Sequence, residues 1–254
     1  MLQFEVHLAD HCNLNCKSCN HFSPLAKENF MDIEDFEKDC ERLGELTNGK
    51  IKFIRFMGGE PLLHNQITKF LDAGRKYFPE GELVIVTNGI LLSRQSDFFW
   101  NSCHKNNVEI QVSNYPIKID RDKINSLAKL HKVNIYYVGG NKTIMWSSMQ
   151  LDLDGKQNIY ENFKKCSQSN TCIHLSRGKL YTCPTVAYIK YFNKYFNQTL
   201  QVSEHDSIDI YKAKNLDEIL EFLCKPISFC RYCNIEKTKD IEWENTKKDI
   251  SEWV

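Results

Sequence analysis

IKFIRFMGGEPLLHNQITKFLDAGRKYFPEGELVIVTNG, residues 51–89, holds the repeating unit of the fold. Ile51, Phe53, Ile54 and Phe56 make a short β-branched and aromatic run of strand length, and LVIVT (83–87) makes another. Between them, HNQITKFLDAGRKYF (64–78) spaces its apolar residues as a helix does. A strand, a helix and a strand joined this tightly imply a parallel pair with a right-handed crossover. Each strand runs into a loop of marked composition: GGEP (58–61) after the first and TNG (87–89) after the second.

The same rhythm extends in both directions. FEVHL (4–8), VEIQVS (108–113), VNIYYV (133–138) and, more weakly, SMQLDL (148–153) read as further strands. MDIEDFEKDCERLGEL (31–46), LLSRQSDFFWNSCHK (91–105) and DRDKINSLAKLHK (120–132) read as helices. In the first of these, Asp32 is the N-cap candidate, and Ile33, Phe36, Cys40, Leu43 and Leu46 share one face. A complete eight-stranded barrel takes about 250 residues. The alternation here ends near residue 155 of 254, so the expected fold is α/β, a partial (β/α)6 TIM-like barrel over 1–155. Chemistry in such folds gathers at the carboxyl ends of the strands. Four loops stand there: DHCNLNCKSCNHFSP (10–24), GGEP, TNG and SNYP (113–116).

Composition excludes several classes. Lys+Arg and Asp+Glu are equal at 33 each, so no bulk basic field favours nucleic acid or an anionic membrane. The N-terminal stretch lacks the charged and apolar regions of a signal peptide, and no apolar run is long enough to span a bilayer. A cytoplasmic protein is expected. Eleven cysteines are then anomalous, because in a reducing compartment clustered Cys points to metal or redox chemistry. Cys12, Cys16 and Cys19 form one group, and Cys166, Cys172, Cys183, Cys224, Cys230 and Cys233 lie together in the last third. Cys40 and Cys103 fall inside helical patterns and read as small core residues.

Beyond residue 156 the alternation stops. CIHLSRGKLYTC (172–183) reads as a β-hairpin turning at Arg177-Gly178. PTVAYIKYFNKYF (184–196) sets Tyr188, Tyr191, Phe192, Tyr195 and Phe196 at helical spacing, a buried face rather than a base-stacking surface given the neutral charge. NLDEILEFLC (215–224) is a short helix and leads to CRYC (230–233). In the tail, Trp243, Ile250 and Trp253 form one candidate docking stripe.

Three thiolates three and four positions apart on a loop can converge on one soft metal centre. A structural zinc site would take a fourth ligand, for which His11 or His21 is available. A [4Fe-4S] cluster on three cysteines would leave one iron open. The C-x3-C-x2-C loop after a first strand, followed about forty residues later by Gly58-Gly59-Glu60-Pro61 after a second, resembles the radical S-adenosylmethionine (SAM) enzymes. In that family the open iron chelates SAM, and one electron from the cluster cleaves SAM to methionine and a 5′-deoxyadenosyl radical. The resemblance implies SAM contacts at Gly58, Gly59, Glu60, Pro61, Thr87, Asn88, Ser113 and Asn114. Ser18 stands where the family often has an aromatic residue, which makes Phe22 the candidate for packing on adenine.

The second cysteine group resembles the twitch extension of that family, a shortened form of its SPASM domain. Cys166, Gly178 and Cys183 match the opening of that pattern and C-x2-C its close, giving an expected twitch subdomain of hairpin and helices over 156–254. Cys183, Cys230 and Cys233 are expected ligands of one auxiliary [4Fe-4S] cluster, with Cys166 or Cys172 as the fourth. The other of that pair is spare or a hydrogen-atom donor. A single twitch cluster resembles aminocyclitol dehydrogenases, so the expected activity is a radical SAM oxidoreductase. Its substrate would be a sugar, sugar nucleotide or cyclitol, with flavodoxin or ferredoxin as electron donor. An epimerase, a peptide maturase, and a non-enzymatic zinc or Fe–S interaction module are the alternatives. Peptide-modifying relatives commonly carry an N-terminal leader-binding domain, and the first strand here begins near residue 2, which favours the small substrate.

Overall fold

The computed structural model describes residues 1–139 and 145–254. Two compact units divide the chain, Met1–Ala9 with Phe30–Ile144, and Asp10–Asn29 with Met145–Val254. The cysteine loop therefore groups with the C-terminal half of the sequence.

The first unit is an open parallel α/β sheet. Its strands are β1 (Leu2–Ala9), β2 (Ile51–Gly58), β3 (Glu82–Thr87), β4 (Val108–Ser113) and β5 (Ile135–Val138), in the spatial order β5-β4-β3-β2-β1. All four pairings are parallel, in register through Val6↔Phe56, Phe56↔Ile85, Ile85↔Ile110 and Ile110↔Ile135. Helices α1 (Ile33–Thr47), α2 (Ile67–Tyr77), α3 (Asp97–Lys105) and α4 (Arg121–Leu130) connect successive strands. Asp32 caps α1 by accepting from the Glu34 and Asp35 amides, as its sequence position predicts. Phe36, Cys40 and Leu43 of that helix are fully buried, with Phe36 edge-on to Phe56 at 6.0 Å. Cys103 on α3 is likewise fully buried, so both stray cysteines are core residues.

The sixth parallel strand expected over 148–153 does not form. Met145–Ser148 is instead a strand, β6, antiparallel to β10 (Lys239–Glu242). The reason is where the backbone donors go: Leu151 N–H donates to the Trp253 carbonyl at 2.6 Å and Asp152 N–H to that of Tyr232 at 2.7 Å. The buried Gln150 amide is taken by Ser148 Oγ and the Glu252 carbonyl.

The second unit is built as the sequence suggests from residue 172 onward. β7 (His174–Ser176) and β8 (Lys179–Tyr181) form an antiparallel hairpin. Its two-residue turn has φ 52° at Arg177 and 72° at Gly178, the doubly left-handed geometry that matches strand twist. β9 (Ile208–Asp209) adds to β8. Helix α5 (Ile159–Lys165), which the alternation did not announce, precedes the hairpin, and α6 (Pro184–Phe196) and α7 (Leu216–Leu223) follow it. Tyr188 and Phe192 of α6 are buried in a core with Phe22, Ile189, Phe229 and Trp253, so the aromatic run is a packing face. Among the described residues, no helix is long and apolar enough to cross a membrane.

Candidate functional site

The cysteine loop leaves β1 at Ala9 and folds back through a 3-10 turn at Ser23–Leu25. Each of its three sulfurs faces N–H groups. Leu14 N–H reaches Cys12 Sγ at 3.3 Å, and the Trp243 indole Nε1–H reaches Cys16 Sγ at 3.1 Å. Cys19 Sγ is met by the backbone amides of His21, Phe22 and Ser23; burial raises its thiol above the usual value, and these donors oppose the rise. N–H groups aimed at sulfur suit thiolates that carry a metal cluster. His11 Nδ1 accepts from the Asn29 amide at 3.4 Å, and the His21 ring lies against His174 and Tyr188.

The C-terminal tail braces this loop. Cys16 and Asn245 form an antiparallel bridge, flanked by Lys17 N–H to the Glu244 carbonyl (2.9 Å) and Thr246 N–H to the Asn15 carbonyl (2.8 Å). Ser18 Oγ donates to the Glu252 carbonyl at 2.5 Å, and the Trp253 indole to that of Cys19 at 3.0 Å. Trp243 and Trp253 thus both dock as hydrogen-bond donors, and Trp253, with Ile250, packs on the apolar core as well. Phe22, the residue expected to pack on adenine, lies within the apolar core. It is 1% exposed, with Phe192 at 5.7 Å and Trp253 at 6.4 Å.

The rim loops of the first unit show why their residue types are needed. Gly58 has φ 137°, and a Cβ there would sit 2.2 Å from the Ala9 carbonyl oxygen, so no other residue fits. Gly59 N–H donates to that same oxygen at 2.8 Å. Pro61 opens a 3-10 turn, Pro61–Leu63. Glu60 was expected to offer its carboxylate to a ligand; the structure turns it inward, fully buried. It accepts from Thr87 Oγ1 (2.6 Å), Asn88 N–H (2.9 Å) and Leu62 N–H (3.1 Å). Burial lifts its pKa to about 7 against those three donors, which favour the ionised form. Glu60 is therefore the tie between the GGEP and TNG loops. Ser113 ends β4, and Asn114 is held by its N–H to the Val138 carbonyl (2.8 Å) and by a short bond from Arg121.

Four of the C-terminal cysteines line one pocket: Cys166, Cys183, Cys230 and Cys233, together with Asn162, Phe229 and Ile227. Cys172 is not among its lining residues; its sulfur lies 3.7 Å from Thr171 Oγ1. Cys224 is exposed at the end of α7, not buried. Cys183 is the N-cap of α6, where the Thr185 and Val186 amides point at its sulfur, a position that favours thiolate. Burial nevertheless pushes that thiol up to about 12, and raises those of Cys230 and Cys233, to which neighbouring thiols add. Three thiols that resist ionisation alone, those of Cys183, Cys230 and Cys233, belong to a set that a cationic cluster would deprotonate. Among the described residues, no three His, Cys, Asp or Glu side chains close on one point at single-ion distances.

Two polar residues that sequence reasoning did not single out hold this pocket. Asn162 Nδ2 on α5 donates to the carbonyls of Cys230 (2.8 Å) and Cys233. Asp206, fully buried, accepts from Phe229 N–H (2.8 Å) and from Ser203 and Ser228. Asn162 acts across about seventy residues of sequence, where no local pattern announces it, whereas Asp206 joins a local capping box with Ser203 to the distant Ser228 and Phe229.

Comparison with known proteins identifies the family of the first part of the chain. The sequence model of the Radical SAM superfamily matches residues 6–143. The GTP 3',8-cyclase of Helicobacter pylori is 33% identical over 119 residues, which is 46% of this chain and 35% of that protein. The enzyme of the same name from Clostridium botulinum is 23% identical over 244 residues, 90% of this chain and 75% of that one. In several such matches the aligned part is about a third of the curated relative's length. Among solved structures, BtrN in complex with AdoMet and 2-DOIA aligns with a TM-score of 0.59 at 17% identity, covering 91% of this chain and 92% of that one. That likeness is one of fold.

Proposed function

The chain belongs to the radical SAM superfamily, and from that premise we propose that it is an oxidoreductase acting on a small, polar, carbohydrate-like molecule. The observation that carries the reading is the pocket of four thiols at Cys166, Cys183, Cys230 and Cys233. A complete set of four fits an auxiliary [4Fe-4S] cluster that needs no outside ligand, and the three-cysteine loop fits a cluster that does. When bound, the two clusters and SAM supply one-electron chemistry that removes a hydrogen atom from an unactivated C–H bond and accepts the electron left behind.

The chain's own residues hold and shield. Cys12, Cys16 and Cys19 would carry the first cluster. Gly58, whose missing Cβ clears the Ala9 carbonyl, and Gly59 belong to the loop proposed to contact SAM, Pro61 fixes the turn that follows, and Glu60 keeps that loop locked to Thr87 and Asn88. Ser113 and Asn114 complete the proposed SAM contacts. The aligned BtrN structure, which holds AdoMet and 2-DOIA, supports a small-molecule substrate by likeness of fold. A flavodoxin or ferredoxin is the proposed electron donor.

A second reading, a purine nucleoside triphosphate as substrate, is favoured by the alignment to the Clostridium botulinum GTP 3',8-cyclase over 244 residues. Anaerobic reconstitution, followed by incubation with dithionite, SAM and either an aminocyclitol panel or GTP, decides between them by product mass. A loss of two mass units from a cyclitol supports the oxidoreductase. A cyclised GTP product, or a wild-type protein that stays colourless and holds zinc, defeats it. Solvent deuterium at an inverted carbon, dependent on Cys172, would indicate an epimerase instead.

A further inference from the structure

The three sulfurs of the cysteine loop are not served alike. Cys12 and Cys19 receive N–H groups from their own loop, Leu14 for the one and residues 21–23 for the other. Cys16 receives the Trp243 indole, 227 residues away in sequence. Trp253, the other tail tryptophan, sits in the apolar core and spends its N–H on a backbone carbonyl, whereas that of Trp243 goes to a sulfur. The tail is also aligned to deliver Trp243 with little freedom. The Cys16↔Asn245 bridge, its two flanking backbone bonds and the Lys17–Glu244 ion pair at 2.8 Å fix residues 243–246 against 15–17.

We propose that Trp243 is a positioning residue for the first cluster, setting its reduction potential through the N–H···S bond to Cys16. The inference rests on the reading that Cys12, Cys16 and Cys19 hold a [4Fe-4S] cluster. An N–H dipole aimed at a ligating sulfur stabilises the more negative, reduced state, and so raises the potential. The redox event is the uptake of one electron, supplied by an electrode or a chemical reductant, with no bond made or broken. The same tail segment begins ten residues after Cys233, the last thiol of the auxiliary pocket, so one stretch of chain serves both cysteine groups.

The test is a redox titration of the reconstituted full chain, followed by the electron paramagnetic resonance signal that responds to added SAM. Trp243→Phe removes the donor and keeps a ring. It is expected to leave roughly tenfold less reduced cluster at the potential that half-reduces the wild type, a shift of about 59 mV for a one-electron couple, to the negative side. Replacing Trp243 with β-(3-benzothienyl)alanine keeps the shape of indole and deletes only the N–H. It should reproduce the shift, and it serves alone if Trp243→Phe fails to fold. An unshifted midpoint in the isostere, with a normal SAM-responsive signal, overturns the role of Trp243 and leaves the cluster intact. A wild type with no SAM-responsive signal overturns the cluster reading and this inference together.

Discussion

The cysteine loop and the auxiliary pocket bind their thiols by opposite means. In the loop, three cysteines within eight residues are kept in place by a partner far away, the tail 243–253, through backbone and indole bonds. In the pocket, four cysteines spread over 166–233 are gathered by separate elements: the end of α5, the start of α6 and the 3-10 turn Ser228–Tyr232. The loop has local spacing and needs distant support. The pocket has distant spacing, and short polar clamps at Asn162 and Asp206 hold it. Ligand count follows the same division, since a set of four is self-sufficient and a set of three requires a ligand from outside.

The sharpest way to break the comparison is to empty the two sites separately. Cys12→Ala, Cys16→Ala and Cys19→Ala combined should remove about half of roughly eight irons per chain and abolish SAM cleavage, leaving the iron of the four-cysteine pocket in place. Cys183→Ala should also cost about half the iron, and in addition lower the melting temperature, because cluster binding at a pocket gathered from distant segments is folding energy. Iron analysis with calorimetry distinguishes the two. Equal melting temperatures for both variants would erase the contrast.

Cys166 and Cys172 sharpen it further. Spacing favoured Cys166 as the fourth ligand and the hairpin start Cys172; Cys166 lines the pocket with Cys183, Cys230 and Cys233. Cys166→Ala should lose the auxiliary iron, whereas Cys172→Ala should keep both clusters and, in an oxidoreductase, its turnover. Iron retained in Cys166→Ala and lost in Cys172→Ala would reverse the assignment.

Much of this was legible in the sequence because it is local. Strand–helix alternation, the Arg177-Gly178 turn and the Asp32 cap each depend on neighbours within a few residues, and all form. What was not legible depends on contacts across the chain. Phe22 lies three residues after Cys19 in the cysteine loop, yet its surroundings are Phe192 and Trp253. The 148–153 segment has strand-like composition, but its amides are claimed by residues 232 and 253. Glu60 could be read as a ligand group from its motif; only Thr87 and Asn88, on the next loop, reveal that it faces inward.

A smaller effect tests the clamps. Asp206→Asn keeps the size of the side chain but turns one acceptor into a donor facing Ser203, Ser228 or Phe229 N–H. Each buried donor left unmatched costs about 1–3 kcal/mol, and the loss should appear in the second unit as a lower denaturation midpoint with weakened auxiliary iron. The first cluster's iron should be unchanged. Parallel loss of both clusters would mean that the two regions are not independent.

The last prediction concerns Glu60, because an open three-cysteine loop requires that other residues secure the outside ligand. Glu60→Ala keeps every thiolate, so iron content should persist while SAM affinity falls roughly tenfold, as the GGEP and TNG loops lose their shared anchor. Stability should carry a pH signature as well. The folded pKa of about 7 lies above the ordinary carboxyl value of 4.5, so the native state holds the proton more tightly between these limits. The associated stabilisation is fully present below about pH 4.5 and is lost as pH rises through about 7. At most about 1.4 kcal/mol is lost per pH unit within that window. Denaturant melts of wild type and Glu60→Gln between pH 5 and 8 isolate it, since the amide does not titrate. The wild type's stability relative to Glu60→Gln should decline across that range. A difference that stays flat would show that the three donors, not burial, govern this carboxylate, and that it remains ionised throughout.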